Sequence, residues 1–252
     1  MSVHLHLHPR FKQKEQAVLR LAEHFDTDGE VLVKGSRNII KTNTLDGEKV
    51  NIKYFKKPGF INSLVYSFLR PTKARRSFEY AEYLTNHNIL TPFPIAYIEE
   101  KNGGRLGTSY YICKHIIYDI TFRELIHDPL YPERETILEQ FTEFTWRMHE
   151  ARINFLDHSP GNTLIVNKGN GQYDFYLIDL NRMRFEDMDI EARMDNFKKL
   201  WPSRAMLKII ARKYAELSGR PYEELHTLLL KHSLAFKRKI NKKKYLKRKL
   251  GK

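Results

Sequence analysis

The chain has 252 residues, of which 41% are hydrophobic and 29% charged, and its 44 lysines and arginines exceed its 30 acidic residues by 14. This apolar content excludes an intrinsically disordered chain, because it is enough to offset the ordering entropy of folding. The single cysteine excludes a disulfide-stapled scaffold and a zinc site with several cysteine ligands. The length fits one large domain or two smaller ones.

The excess positive charge is concentrated at the C-terminus. Residues 231–252 contain eleven lysines and arginines and no acidic residue, which leaves a net charge of only +3 for the first 230 residues. The pattern is typical of a solvated last helix or of a segment that binds an anionic surface. Nucleic acid is a less suitable partner, because the basic residues are not interleaved with aromatic residues on the body of the protein. We therefore predict no nucleic-acid binding.

The first half of the chain has the alternating apolar pattern of β-strands. The N-terminal residues predict a short strand, and residues 31–54 predict a meander of three. An apolar segment and a helix follow, and two further strands are joined by a turn that contains two glycines. We expect a sheet of five strands, apart from the N-terminal strand, with the helix inserted after the third. The predicted segments after the meander are 59–69 (apolar), 73–87 (helix), 94–100 and 107–117 (strands).

The second half is predicted to be mainly helical. Its helices are expected at 121–127, at 133–151 and from about 189 onward, with two short strands at 163–166 and 173–179. A β-rich part followed by an α-rich part gives an α+β architecture of two lobes. We expect a small N-lobe over 1–117, a larger C-lobe over 118–230 and a basic tail over 231–252.

Four polar residues follow one another in the order that kinase-fold phosphotransfer requires. Lys53 interrupts an alternating strand, Asp157 and Asn162 lie five residues apart in a loop, and Asp179 ends an apolar strand. In kinase-like folds, a strand lysine contacts phosphate, a loop aspartate accepts the proton of the attacking hydroxyl, and an asparagine and a second aspartate bind Mg²⁺. Lys53 could instead be an edge-strand lysine that opposes aggregation, and the others could be turn residues.

Five segments together resemble the lipopolysaccharide kinase (Kdo/WaaP) family, a bacterial branch of the protein-kinase-like fold that phosphorylates sugars of the lipopolysaccharide inner core. The similarity covers about residues 31–190. The segments are VNIKYFKKP, KARRSFEYAEYL, ILTPFPIAYIE, LDHSPGNTLI and FYLIDLNRMRF.

This resemblance implies a kinase that uses ATP and Mg²⁺ and phosphorylates a core sugar, either Kdo or heptose. It implies that Lys53 contacts phosphate and pairs with Glu79, that Asp157 is the catalytic base, and that Asn162 and Asp179 bind the metal. Glu82 lies one turn beyond Glu79 on the predicted helix and is an alternative partner for Lys53.

The chain departs from protein kinases at three positions. The segment that covers the phosphates has one glycine, Gly35, so nucleotide contact is expected there without a complete glycine-rich motif. Leu156 replaces the arginine that often precedes the catalytic aspartate, and Leu180-Asn181 replaces Phe-Gly after the metal-binding aspartate. These departures favour a non-protein acceptor. A kinase acting on another small molecule or protein, and a non-catalytic pseudokinase, remain as alternatives.

Three further side chains are predicted to be structural. His149 is expected to pack at the end of a helix, His158 to be an exposed neighbour of the base, and Cys113 to be a buried apolar residue.

Two segments predict contact with a membrane surface. The basic tail would bind anionic lipid electrostatically, and the apolar segment 59–69 either packs on the N-lobe or docks on the bilayer. We expect a cytoplasmic protein that associates peripherally with the inner face of the membrane, because no apolar run is long enough to span it.

Overall fold

The computed structural model describes residues 2–36, 38–57, 71–102 and 105–250. The chain forms two compact units, Met1–Ile117 and Tyr118–Lys252. The apolar segment predicted at 59–69 and the two glycines of the predicted hairpin turn lie outside the described residues.

The described residues of the first unit contain a six-stranded antiparallel sheet, so the prediction of five strands was wrong. The N-terminal strand, Ser2–Leu7, is the sixth strand of the sheet and pairs antiparallel with Pro94–Asn102. This pairing joins segments far apart in sequence, which strand periodicity alone does not reveal. In chain order the strands are β1 Ser2–Leu7, β2 Glu30–Lys34, β3 Asn38–Leu45, β4 Glu48–Phe55, β5 Pro94–Asn102 and β6 Arg105–Lys114, and in space they lie β1-β5-β6-β4-β3-β2.

Two α-helices accompany this sheet in the described part of the first unit, α1 (Glu15–Glu23) and α2 (Lys73–Asn86). Apolar residues of α1 join one face of the sheet in a buried cluster that includes Val18, Leu21 and Ile52. The helix α2 begins at the cap residue Thr72, whose side-chain oxygen accepts a hydrogen bond from the backbone N–H of Arg75. The apolar face of each helix therefore fixes the sheet without covalent cross-links.

The second unit is mainly helical in its described residues. Its short strands β7, β8 and β11 were not predicted, because runs of two or three residues carry no measurable periodicity. The elements are β7 Ile120–Thr121, α3 Phe122–His127, α4 Arg134–Glu150, β8 Ile153–Phe155, β9 Thr163–Gly169, β10 Gln172–Leu177, β11 Met183–Phe185, α5 Ile190–Asn196, α6 Arg204–Ser218 and α7 Tyr222–Lys249; short 3₁₀ segments lie at Pro160–Asn162 and Phe197–Leu200.

The last helix, α7, is both a core helix and an exposed one. Leu225, Leu229 and Ser233 on its first half are buried, whereas every residue from 241 to 250 is exposed. The helix runs without interruption through position 230, where the sequence predicted a boundary. In the part of the chain that the structure describes, no helix has the length and hydropathy needed to cross a membrane.

A buried lysine fastens the end of α1 to the sheet. Lys41 lies on β3, and its Nζ donates to the backbone carbonyls of Phe25, Asp26 and Asp28 at 2.5, 3.2 and 3.1 Å. The same Nζ lies 5.0 Å from the centroid of the Phe25 ring. The ammonium thus satisfies carbonyl groups that follow a helix end and otherwise have no helical partner.

We expect Lys41→Met to lower the free energy of unfolding by about 1.5–3 kcal/mol, because the substitution removes the hydrogen bonds of a charged donor to one buried and two partly buried carbonyls. Urea denaturation measures this change. The control is Lys49→Met, at an exposed position on β4, which should change the stability by no more than about 0.5 kcal/mol. Equal effects of the two substitutions would contradict the role of Lys41.

Candidate active site

The loop that carries Asp157 is folded back on itself by Asn162. The Nδ2 of Asn162 donates to the backbone carbonyl of Asp157 at 2.9 Å, and its backbone N–H donates to the carbonyl of Ser159 at 2.9 Å. The predicted pair therefore lies together at the two ends of one short loop, between β8 and β9. Because Nδ2 is engaged with Asp157, the side-chain oxygen of Asn162 is directed away from that carbonyl.

The hairpin of β9 and β10 brings Asn162 close to Asp179. Thr163 on β9 is opposite Leu177 on β10, and the backbone N–H of Ile178 donates to the carbonyl of Asn162 at 3.0 Å. Asp179 comes directly after Ile178 and has a backbone φ of 60°, in the left-handed region. Non-glycine residues adopt this conformation at a cost, and such residues concentrate at functional sites.

The residues at the ends of these strands have the ligand chemistry of a magnesium site. Asp179 offers carboxylate oxygens and Asn162 an amide oxygen, and Mg²⁺ prefers such hard donors, with substrate phosphates and water completing its coordination. No cluster of three or more His, Cys, Asp or Glu side chains able to hold a metal ion occurs in the described residues. Two protein ligands leave positions open on an octahedral ion, so the donor set fits an ion that binds together with a nucleotide.

Two cations lie beside the carboxylate of Asp157. Lys199 Nζ is 3.2 Å from its Oδ1 and also donates to the backbone carbonyl of Leu156 at 2.6 Å. On the other side, an η nitrogen of Arg182 is 3.8 Å from Oδ2. The side chain of Asp157 retains 31% exposure, so it remains accessible to a substrate.

The side-chain amide of Asn196 supports the loop that carries Asp157, residues 156–162, which is the candidate catalytic loop. Its Nδ2 donates to the side-chain oxygen of Asn154 and to the carbonyl of Phe155, both at 3.1 Å, and its Oδ1 is 2.9 Å from Nδ1 of His158. A single buried amide thus holds both the strand before Asp157 and the residue after it.

The prediction that His158 is exposed was wrong, because the side chain is 1% exposed and packs between Phe155 and Phe197. His149 packs at the end of α4, as expected, where it is buried and hydrogen-bonded to the hydroxyl of Tyr214 at 3.0 Å. Burial lowers the pKa of His149 to about 3 and that of His158 to about 4. Both rings are therefore neutral structural groups near neutral pH.

Lys53 lies in the interior of the sheet. It is opposite Ile40 on β3 and Tyr111 on β6, so β4 has a neighbour on each side. This excludes the alternative of an edge-strand lysine. On the adjacent strand, Cys113 is buried as predicted, and burial raises the pKa of its thiol to about 12.

The two candidate partners of Lys53 have different surroundings on α2. Glu79 accepts a hydrogen bond from Nε of Arg75 at 2.6 Å. Burial raises the pKa of Glu82. The pairing of Lys53 with Glu79 stays a prediction, and Glu82 stays its alternative.

Gly35 lies in the connection between β2 and β3. Its backbone N–H donates to the carbonyl of Asn38 at 2.9 Å, and a Cβ at this position would lie 2.8 Å from Oδ1 of Asn38. A side chain at position 35 would therefore displace that of Asn38, and the tight connection explains the glycine. Contact between Gly35 and nucleotide stays a prediction.

Sequence reasoning missed Lys199, Arg182 and Asn196. Lys199 and Asn196 come from the segment around α5, about 40 residues after the loop that they support. No spacing rule connects them to Asp157. Arg182 follows the Asp179 segment closely, but nothing in the sequence shows that its side chain turns toward the loop.

Comparisons with known proteins identify the family and the fold of the chain. The sequence profile of the lipopolysaccharide kinase (Kdo/WaaP) family matches residues 35–227. A solved structure described as WaaP in complex with acyl carrier protein superposes with a TM-score of 0.67 at 16% identity, over 95% of this chain and 98% of that chain. The chain matches no protein of curated function. The resemblance and the predicted α+β fold are confirmed.

We expect acidification to destabilise the protein through the two buried histidines. Below about pH 6.5 the unfolded chain protonates them, whereas the folded chain keeps them neutral down to about 4 for His158 and about 3 for His149. The unfolded state then binds more protons than the folded state. The free energy of unfolding therefore decreases as the pH is lowered, by up to about 1.4 kcal/mol per pH unit for each histidine.

Urea denaturation at several pH values between about 6.5 and 4.5 measures this slope. His158→Asn cannot be protonated and keeps an amide for Asn196, so its stability should depend less steeply on pH than that of the wild type. The control is His127→Asn at an exposed position, which should leave the slope unchanged. An unchanged slope in His158→Asn would contradict the assignment.

Proposed function

This chain belongs to the lipopolysaccharide kinase (Kdo/WaaP) family and is a kinase, and we propose that it phosphorylates a sugar hydroxyl of the lipopolysaccharide inner core, on Kdo or heptose, with ATP as donor. One observation carries the proposal: Asn162 is hydrogen-bonded to the backbone of Asp157 and, through Ile178, to the segment of Asp179. The residues that we propose as base and metal ligands therefore come from one loop and one hairpin of the second unit.

In this reaction the oxygen of the sugar hydroxyl attacks the γ-phosphorus of ATP, the bond from that phosphorus to the β-phosphate oxygen breaks, and ADP leaves. Asp157 accepts the proton of the hydroxyl, and its 31% exposure leaves room for the acceptor. Lys53 contacts phosphate oxygens of the nucleotide. Much of the catalysis then comes from positioning, as is usual for phosphoryl transfer.

Asn162 and Asp179 would hold Mg²⁺, which when bound neutralises the charge of the nucleotide phosphates. Asn162 is oriented for this role by the hydrogen bond from its amide nitrogen to Asp157. The left-handed backbone of Asp179 directs its side chain differently from a residue that continues β10.

The intact polar set favours catalysis over a pseudokinase, since each of Lys53, Asp157, Asn162 and Asp179 keeps the residue type that the chemistry needs. An enzyme with a different acceptor would show the same set. The identity of the acceptor is therefore tested directly.

We expect Asp157→Ala to lower phosphate transfer to purified core lipopolysaccharide by about 10²- to 10⁴-fold, because the hydroxyl loses its proton acceptor. The affinity for nucleotide should stay within a few-fold of the wild type. Mass spectrometry of the acceptor after incubation with ATP and Mg²⁺ measures the transfer. The matched control is Asp187→Ala, which removes an 84% exposed carboxylate paired with Arg152 and should retain full activity.

The acceptor is checked in cells. Core lipopolysaccharide from a strain that lacks the gene should be one phosphate lighter than that of the parent, and fragmentation assigns the missing phosphate to Kdo or heptose. An unchanged core in that strain would contradict the proposed acceptor, whereas full transfer by Asp157→Ala would contradict the proposed base.

We also propose that α7 places the enzyme on an anionic membrane surface. Residues 241–250 are all exposed and carry six lysines and arginines. Pairs of like charge four residues apart, such as Lys243 with Lys247, destabilise a helix in water. An anionic surface relieves that repulsion, and the exposed Leu246 and Leu250 add a small apolar contact. The apolar segment 59–69 stays a prediction for a second contact.

We expect replacement of Lys242, Lys243 and Lys244 by glutamine to weaken binding to vesicles of phosphatidylglycerol and phosphatidylethanolamine. Each lysine near such a surface contributes about 1 kcal/mol, so the triple variant should bind about 10²-fold more weakly. Co-sedimentation measures the bound fraction.

The control variant replaces three exposed lysines elsewhere, Lys12, Lys49 and Lys168, by glutamine. It has the same net charge as the first variant, so it should bind about as well as the wild type if position matters. An equal loss of vesicle binding in both variants would contradict a docking role for α7. Binding of the wild type to neutral phosphatidylcholine vesicles as tight as its binding to the anionic vesicles would also contradict it.

A further inference from the structure

The described residues place a lysine from a distant segment directly on the catalytic loop. Lys199 belongs to the 3₁₀ segment Phe197–Leu200, and its Nζ makes two contacts with consecutive residues. It donates to the carbonyl of Leu156 at 2.6 Å and to Oδ1 of Asp157 at 3.2 Å. One ammonium group thus holds the backbone before the base and the carboxylate of the base itself.

We propose that Lys199 is the positioning residue of Asp157, and that it supplies the cation which the catalytic loop itself lacks. Leu156, the residue before the base, is apolar and cannot orient a carboxylate. Lys199 holds the Asp157 side chain by a hydrogen bond between two charged groups, and such bonds are stronger than neutral ones. This inference rests on the proposed function, because it assumes that Asp157 acts on the acceptor hydroxyl.

The surroundings of Lys199 support a dedicated role over a chance surface pair. Its side chain is only 31% exposed, and Asn196, three residues earlier, is itself bonded to Phe155 and His158 of the same loop. The segment that carries the ammonium is therefore fixed to the loop by buried hydrogen bonds. Arg182 approaches the other carboxylate oxygen only to 3.8 Å and is 69% exposed, so it cannot replace Lys199.

The adjacent lysine offers a matched control. Lys198 lies on the same 3₁₀ segment with the same side-chain exposure of 31%, but it pairs with Asp195 instead of the loop. A substitution at Lys198 disturbs the segment equally and leaves the contacts of Asp157 intact.

The test is a double-mutant cycle with Lys199→Met and Asp157→Ala, measured as phosphate transfer and as ATP hydrolysis. We expect Lys199→Met to lower kcat at least tenfold with little change in the KM for ATP, and Lys198→Met to have no such effect. In the Asp157→Ala background, Lys199→Met should change the residual rate less than about twofold, because a residue that acts through Asp157 has nothing left to position. Lys199→Arg, which keeps the cation, should recover most of the activity.

Wild-type kcat in Lys199→Met, or an equal loss in both backgrounds, would overturn the inference. If Lys199→Met does not fold, Lys199→Gln, which can still donate to the Leu156 carbonyl, is used with the same expectation. ATP hydrolysis that depends on Asp157, without transfer to any core sugar, would refute the proposed acceptor. The double-mutant cycle would then still be measured by the rate of ATP hydrolysis. A wild-type protein that neither hydrolyses ATP nor transfers phosphate would refute the proposed function and this inference together.

Discussion

The hydrogen bonds of one buried amide determine the shape of the catalytic loop. Asn196 supports the carbonyl of Phe155 and the ring of His158, which flank Leu156 and Asp157 on either side. An unpaired buried amide is costly, so the loop has a strong preference for the conformation that satisfies all of these groups. The position of Asp157, the proposed base, then follows from the fold of α5, which carries Asn196, more than from the loop sequence itself.

The proposed metal ligands, Asn162 and Asp179, depend on a different constraint, the register of a hairpin. Since Thr163 is opposite Leu177, the residues just outside this pair, Asn162 and Ile178, meet through a backbone hydrogen bond. A shift of one residue in this register would turn Asp179 to the other side of the hairpin. The buried side chains of Ile165 and Phe175, directly opposite one another, oppose such a shift.

The sequence predicted the parts of the site that are local and missed those that are not. Asp157, Asn162 and Asp179 were recognisable because they lie close together in the sequence, within one loop and the hairpin that follows it. Strand order decides whether Lys53 is central or at an edge, and no local pattern contains that order. Exposure of His158 depends on aromatic residues from elements on both sides of it, which explains why a position next to the base was wrongly expected to face water.

The continuity of α7 has a consequence for how the second unit can be held at a surface. A flexible basic tail would act as a tether and let the attached unit rotate freely. An uninterrupted helix of 28 residues, about 42 Å long, is stiff, and its first half is fixed in the core through Leu225 and Leu229. A surface that binds the outer turns of α7 would therefore hold Asp157, the proposed base, at a fixed orientation to that surface.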